Sequence, residues 1–242
     1  LGQRADITLF VPPQAAGQVD VPLVILLHGV YGSHTGWPFK GGAHRIAQRL
    51  IDSGEIRPMV LAMPSDGLWG DGSAYTRHPN QDFETWIVDE VPAAAAEAAS
   101  CLSPESPRFI SGLSMGGFGA LRLAAKYPDR FRAGGGHSSI TRFEELAAFV
   151  EEPLEAYSCS EADRAVISAI LARRDRLPAF RFDCGTDDSL IESNRALHRE
   201  LEKAGIPHEY EEFPGAHNWP YWEARLPEML RFFERVGLSR RA

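Results

Sequence analysis

The sequence predicts an α/β fold: a mostly parallel central sheet with helices on both faces. Two observations carry that expectation. From residue 21 onward, short apolar runs of strand length alternate with amphipathic stretches of helical period, the pattern of repeated strand–helix units. The second is the stretch Phe109-Ile110-Ser111-Gly112-Leu113-Ser114-Met115-Gly116-Gly117, in which G-x-S-x-G stands between a buried strand and a helix. In that setting the motif forms a sharp turn that presents a serine. Gly112 and Gly116 are the small neighbours such a turn requires.

At 242 residues the chain can bury one large core, and no repeat, low-complexity tract or linker divides it, so a single domain over 1–242 is the simplest account. A formal charge of −8 argues against a nucleic-acid partner, which needs a basic face. The longest apolar run, 21–27, is too short to span a membrane. No secretory signal is visible, but the chain begins with Leu1 rather than methionine, so its start does not speak to a leader. Three cysteines cannot all pair. The expectation is reduced thiols in a cytoplasmic protein, with Cys101–Cys159 left open as a pair.

In order, residues 4–11 alternate polar and apolar and read as an antiparallel edge strand. The run 21–27 reads as a central strand covered on both faces, leading into the tight loop His28-Gly29-Val30-Tyr31-Gly32. A helix at 43–53 and a strand at 59–63 follow, then a long glycine- and aspartate-rich loop at 64–81. Residues 83–100 read as a helix that Pro92 must kink or break. The strand at 108–111, the turn and a helix at 118–126 come next, then a strand at 131–136 leading to His137. Between 140 and 178 lie two helical patterns, 143–150 and 161–173, without a strand. Strands at 179–184 and 208–213 and helices at 190–204 and 219–236 complete the chain.

A serine hydroxyl needs a base, and the base needs an orienting carboxylate. Two later strands run into suitable loops: Gly185-Thr186-Asp187-Asp188 and Gly215-Ala216-His217-Asn218-Trp219. His217 is the candidate base, sitting between the last strand and the last helix. Asp187 and Asp188 compete for the acid, and spacing does not separate them. An oxyanion needs two aimed backbone donors. The Met115 amide is one candidate; the Val30 amide, then that of Tyr31, are candidates for the other. His28 reads as a side chain that holds its loop by hydrogen bonding. The remaining histidines read as solvated or structural, apart from His137 at its strand end.

Together these four loops resemble the esterase branch of the α/β-hydrolases that includes feruloyl esterases, tributyrin esterases, S-formylglutathione hydrolases and mycolyltransferases. The resemblance runs from residue 21 to 236 with the motifs in the same order. It implies an α/β-hydrolase fold with a small helical cap insertion at 140–178. It also implies Asp188 as the acid, through G-x-x-D, and Met115 and Val30 as the oxyanion donors. Phe118 stands where S-formylglutathione hydrolases carry a histidine, and the Met-Gly-Gly is absent from mycolyltransferases, so the feruloyl and tributyrin members are the nearer match.

The resulting expectation is a carboxylesterase that cleaves a small-molecule ester through an acyl-enzyme, without a cofactor. Acyl transfer, thioester hydrolysis and non-catalytic binding on the same scaffold are the rivals. Tyr31, Trp69, Tyr75, His137 and Trp219 are candidate pocket liners. Phe143, Leu146, Phe149, Leu154 and Tyr157 either shape the pocket or bury the cap. Asp66 and Asp71, without histidine or cysteine at ligand spacing, make a poor metal site, so no metal is expected. The closing helix and the cap are the candidate surfaces for a homodimer.

Overall fold

The computed structural model describes residues 1–66 and 70–238. Its strands are β1 (Ile7–Phe10), β2 (Leu23–Leu27), β3 (Val60–Pro64), β4 (Arg77–His78), β5 (Gln81–Asp82), β6 (Arg108–Leu113), β7 (Ala133–His137), β8 (Ala179–Gly185) and β9 (Glu209–Phe213). The α-helices are α1 (Ala43–Asp52), α2 (Phe83–Thr85), α3 (Val91–Ala98), α4 (Met115–Lys126), α5 (Val166–Leu171), α6 (Ile191–Ala204) and α7 (Trp219–Leu238). The main sheet runs β1-β3-β2-β6-β7-β8-β9. Only β1 is antiparallel to its neighbour, at one edge; the other pairings are parallel.

Parallel strands need cover on both faces, and the side-chain alternation supplies it. Leu23, Ile25 and Leu27 of β2 join one apolar cluster with Val91 of α3 and Phe118 and Leu121 of α4. Val24 and Leu26 point the other way and join Ile46 and Leu50 of α1 and Leu226 and Leu230 of α7. β7 is nearly bare, and that brings helices close from both sides. A Cβ on Gly134 would fall 2.4 Å from Ala124 Cβ of α4, and one on Gly135 would fall 2.3 Å from Met229 Sδ of α7.

Several expected elements take a different form. β6 extends to Leu113 and α4 begins at Met115, so Ser114 alone makes the turn. The helix expected over 83–100 is α2, a π turn at Trp86–Glu90 and then α3. Pro92 sits in the first turn of α3, where a missing N–H costs nothing. The long loop ends in the small hairpin β4–β5.

The segment 140–178 carries short 3-10 turns, at Phe143–Ala148, Leu154–Ala156, Glu161–Asp163 and Arg174–Arg176, with α5 its one α-helix. The bridge between Arg142 and Ala165 splits the second helical pattern. Phe143, Leu146 and Phe149 recur every third residue, the period of a 3-10 helix, which eclipses i and i+3. All three cysteines are free, so Cys101 and Cys159 do not pair. Among the described residues no helix is long and apolar enough to cross a membrane.

A buried ion pair ties α4 to α2, and the charges around it reach segment 140–178 through Asp163. Arg122 of α4 is fully enclosed. Its Nη1 donates to Glu84 Oε2 at 2.7 Å, and its Nη2 donates to the Tyr75 carbonyl at 2.6 Å. Lys126 Nζ reaches Glu84 Oε1 and, in the cap, Asp163 Oδ2, each at 2.8 Å. Burial pushes the Glu84 carboxyl up, but Arg122, Lys126 and Tyr127 outweigh it and hold the group below its ordinary value. Glu84→Gln leaves a buried guanidinium short of its counter-charge and should cost about 3 kcal/mol at neutral pH. The folded value lies below the unfolded one. The difference from wild type is therefore complete above the ordinary carboxylate range, and it shrinks as pH falls through about 4 and below. Urea denaturation of both proteins at pH 7 and in mild acid checks the size and the sign.

Candidate active site

The site is built on the turn between β6 and α4. Ser114 has φ 55° and ψ −120°, a conformation that costs a non-glycine residue roughly 1–3 kcal/mol. Its neighbours must be bare to allow it. A Cβ on Gly112 would fall 2.3 Å from the Gly116 carbonyl oxygen, and one on Gly116 would fall 2.5 Å from that of Leu27. The Ser114 amide donates to the His137 carbonyl at 2.9 Å, and the Ser114 carbonyl accepts from Gly117 at 3.0 Å. Both ends of the turn are thereby pinned.

The loops after β8 and β9 bring an imidazole and a carboxylate to this serine. His217 Nε2 lies 3.0 Å from Ser114 Oγ. His217 Nδ1 lies 2.9 Å from Asp188 Oδ2 and 3.1 Å from Oδ1. The competing aspartates part company here. Asp187 is exposed and uses its amide, which donates to the Gly215 carbonyl at 2.9 Å. Asp188 is 3 % exposed, and its Oδ1 also accepts the Leu190 amide at 2.8 Å. Burial pushes the Asp188 carboxyl up, but the bonds from His217 and the Leu190 amide outweigh it and hold the carboxyl below its ordinary value. The His217 ring is held between two aromatic side chains. Phe149 of the cap stacks on it at 5.8 Å, and Trp222 meets it edge-on at 5.0 Å.

The loop after β2 faces the turn. A Cβ on Gly29 would fall 3.2 Å from Ser114 Cβ. His28 Nε2 accepts the Asp66 amide at 3.2 Å, so the ring proton sits on Nδ1, which donates to the Gly29 carbonyl at 2.7 Å. In a trans peptide C=O and N–H point in opposite directions. Fixing the Gly29 oxygen therefore fixes the direction of the Val30 N–H. Among the described residues the amides of Val30 and Met115 donate to no protein acceptor. The Tyr31 amide is already committed to the Asp71 carbonyl at 2.8 Å. That leaves Val30 as the free donor of the two candidates.

The expected pocket liners fall in different places. Tyr31 stands out at 69 % exposure, with φ 56°. Trp219 is half-buried and meets Trp37 and Trp222 edge-on at 5.6 and 5.3 Å. His137 and Tyr75 do not line the site; both are fully buried. His137 Nδ1 is paired with Asp183 at 2.9 Å, and Tyr75 Oη donates to the His28 carbonyl at 2.9 Å, so both support the site from beneath. Trp69 lies outside the described residues. Phe143, Leu146 and Tyr157 bury the cap, and Leu154 is half-buried beside them.

Three residues beside the site take roles that the sequence does not assign to them. Phe149, weighed only as a pocket or packing residue, is the one that stacks on the imidazole. Trp222 shares a helix face with Trp219, three residues apart, which is its one sequence signal. Asp71 carries no signal: its carboxylate accepts the Glu151 amide at 2.7 Å and its own amide donates to Glu152 Oε1 at 3.1 Å. It thus straps the cap to the loop of Val30. Among the described residues no group of three or more His, Cys, Asp or Glu could hold a metal ion. Asp66 instead accepts the Ser73 amide at 2.8 Å.

The family model described as "Putative esterase" matches residues 1–233. An acetyl esterase of Caldicellulosiruptor saccharolyticus is 25% identical over 237 residues, covering 90% of this chain and 85% of that protein. A solved ferulic acid esterase superposes with a TM-score of 0.84 at 25% identity, covering 97% of this chain and 93% of the other. FphF, a fluorophosphonate-binding serine hydrolase of Staphylococcus aureus, shares the fold with a TM-score of 0.80 at 21% identity, over 96% and 93% of the two chains. A parallel sheet of this order, a sharp turn presenting a serine and a family match over nearly the whole chain converge: the protein belongs to the Putative esterase family, has the α/β-hydrolase fold and is a carboxylic ester hydrolase.

Proposed function

We propose that the protein cleaves carboxylic esters through an acyl-enzyme on Ser114. The observation that carries this is the unbroken relay Asp188–His217–Ser114, with contacts of 2.9 and 3.0 Å, beside two amides that donate to no acceptor among the described residues. His217 Nε2 takes the hydroxyl proton as Ser114 Oγ attacks the ester carbonyl. Asp188 holds Nδ1–H and stabilises the imidazolium that forms. The amides of Met115 and Val30 receive the negative charge that develops on the carbonyl oxygen. As the intermediate collapses, the carbon–oxygen bond to the alcohol breaks and His217 returns the proton to that alcohol. Water then attacks the acyl-serine with His217 again as base, and the acid leaves. The relatives named for acetyl and feruloyl esters make those two acyl groups the first substrates to try.

Hydrolysis of p-nitrophenyl esters from acetate to octanoate should occur in the wild type and fall roughly ten-thousandfold in Ser114→Ala, with binding little changed. Near-wild-type turnover in that variant would remove Ser114 from the reaction. Asp188→Asn should lose far more turnover than Asp187→Asn when the two are assayed side by side, because only Asp188 reaches the imidazole; equal losses would move the acid elsewhere. His28→Ala frees the Gly29–Val30 peptide. It should lower kcat by about ten- to a hundredfold with KM little altered, and a change confined to KM would place His28 in substrate binding instead.

A further inference from the structure

Beneath the triad lies a second pairing of imidazole and carboxylate that the proposed reaction does not use. We propose that Asp183, with His137 and Tyr221, forms a positioning network that holds the nucleophile, the base and the acid in register. The inference rests on the reading of Ser114, His217 and Asp188 as the triad.

The three side chains come from three elements. His137 ends β7 and pairs in register with Asp183 of β8. His137 Nδ1–H donates to Asp183 Oδ2 at 2.9 Å, with Oδ1 at 3.1 Å. Tyr221, in the first turn of α7, donates from Oη to Asp183 Oδ1 at 2.9 Å. His137 and Asp183 have no exposed surface, and Tyr221 has 4 %. Burial and the Asp183 carboxylate push the Tyr221 hydroxyl upward, so it remains a donor. Arg181, two residues before Asp183 on the same face of β8, is itself buried; its guanidinium pairs with Glu209 and Glu211 of β9 and also feels the Asp183 charge.

Each member reaches a different part of the triad. The main chain of His137 accepts the Ser114 amide at 2.9 Å, so the network reaches the nucleophile. The Tyr221 ring covers Gly215, where a Cβ would fall 2.6 Å from Cδ2. Gly215 has φ 146° and stands two residues before His217, so the ring sets the path of the base loop. The Gly215 carbonyl in turn accepts the amide of Asp187, next to Asp188. The Tyr221 amide donates to Asn218 Oδ1 at 3.2 Å, which closes the turn just after His217. One buried carboxylate therefore connects all three triad loops.

Packing alone does not account for this choice of residues. Apolar side chains of similar volume fill such a space without desolvating a carboxylate, an imidazole and a hydroxyl. Directional bonds fix positions that apolar contacts leave free to slide. Small misplacements matter here, because a shift of about 1 Å at a triad can cost a hundredfold in rate.

The test compares wild type with Tyr221→Phe, Asp183→Asn and Ser114→Ala, using p-nitrophenyl acetate. Tyr221→Phe keeps the ring on Gly215 and removes only the hydroxyl. Competent sites are counted by labelling with a fluorophosphonate, and folding is followed by thermal melting. We expect kcat per labelled site to fall roughly tenfold in Tyr221→Phe and up to a hundredfold in Asp183→Asn, with KM within about twofold. Unchanged kcat per labelled site, whatever happens to the melting temperature, would reduce the network to filling and overturn the proposal. If Asp183→Asn does not fold, Tyr221→Phe decides alone. Activity retained in Ser114→Ala would sink the triad reading itself, an outcome separate from failure of the network.

Discussion

The backbone at Ser114 is the constraint on which the rest of this structure depends. A serine with a positive φ between a strand and a helix is strained. It stays so only because everything around it is either bare or bonded. Gly112 and Gly116 leave room, β7 receives the amide, and α4 takes the carbonyl. That same twist lifts the hydroxyl out of the sheet toward the loops beyond the strand ends. The apolar clusters on both faces of the sheet resist any relaxation of the turn, because letting it go would move β6 and α4 together.

Loops deliver the other groups, and each loop is stiffened by a buried polar bond. The Asp66 amide fixes the His28 ring, which fixes the Gly29 carbonyl. Arg122 holds the Tyr75 carbonyl while the Tyr75 hydroxyl holds the His28 carbonyl. Asp71 straps the cap to the residue after Val30. Segment 140–178 thus helps to hold the loop of Val30 and also supplies the Phe149 ring that stacks on the imidazole. Where a site must be held to tenths of an ångström, hydrogen bonds define position better than apolar contact does.

Legibility in the sequence follows the strength of the local signal. The run Leu23–Leu27 and the amphipathic α1 and α6 are legible because continuous or periodic apolarity is compatible with few local conformations. The 3-10 turns of the cap read as longer helices. Phe143, Leu146 and Phe149 fit either period over so short a stretch, and Pro153 and the Arg142–Ala165 bridge cut the pattern. The π turn before Pro92 is legible only as a break, since a proline marks where a bond is missing and not how the chain makes it up. His137 and Tyr75 resemble pocket residues in the sequence because both precede or sit within loops. They are buried because their polar atoms find partners inside the fold.

By itself the sequence determined the alternation of strands and helices, the turn at Ser114 and a short set of polar residues at strand ends, because those depend on local apolar period and on glycine placement. Local spacing left Asp187 beside Asp188 and Val30 beside Tyr31, and only a family resemblance favoured one of each pair; the tertiary structure puts Asp188 against the His217 ring and commits the Tyr31 amide to Asp71. Neighbouring residues share nearly the same sequence context, and the distinction between them is which way each one points. That direction is set by long-range contacts, from Gly215 to the amide of Asp187 and from the Asp71 carbonyl to the amide of Tyr31, across gaps of chain that no local pattern spans.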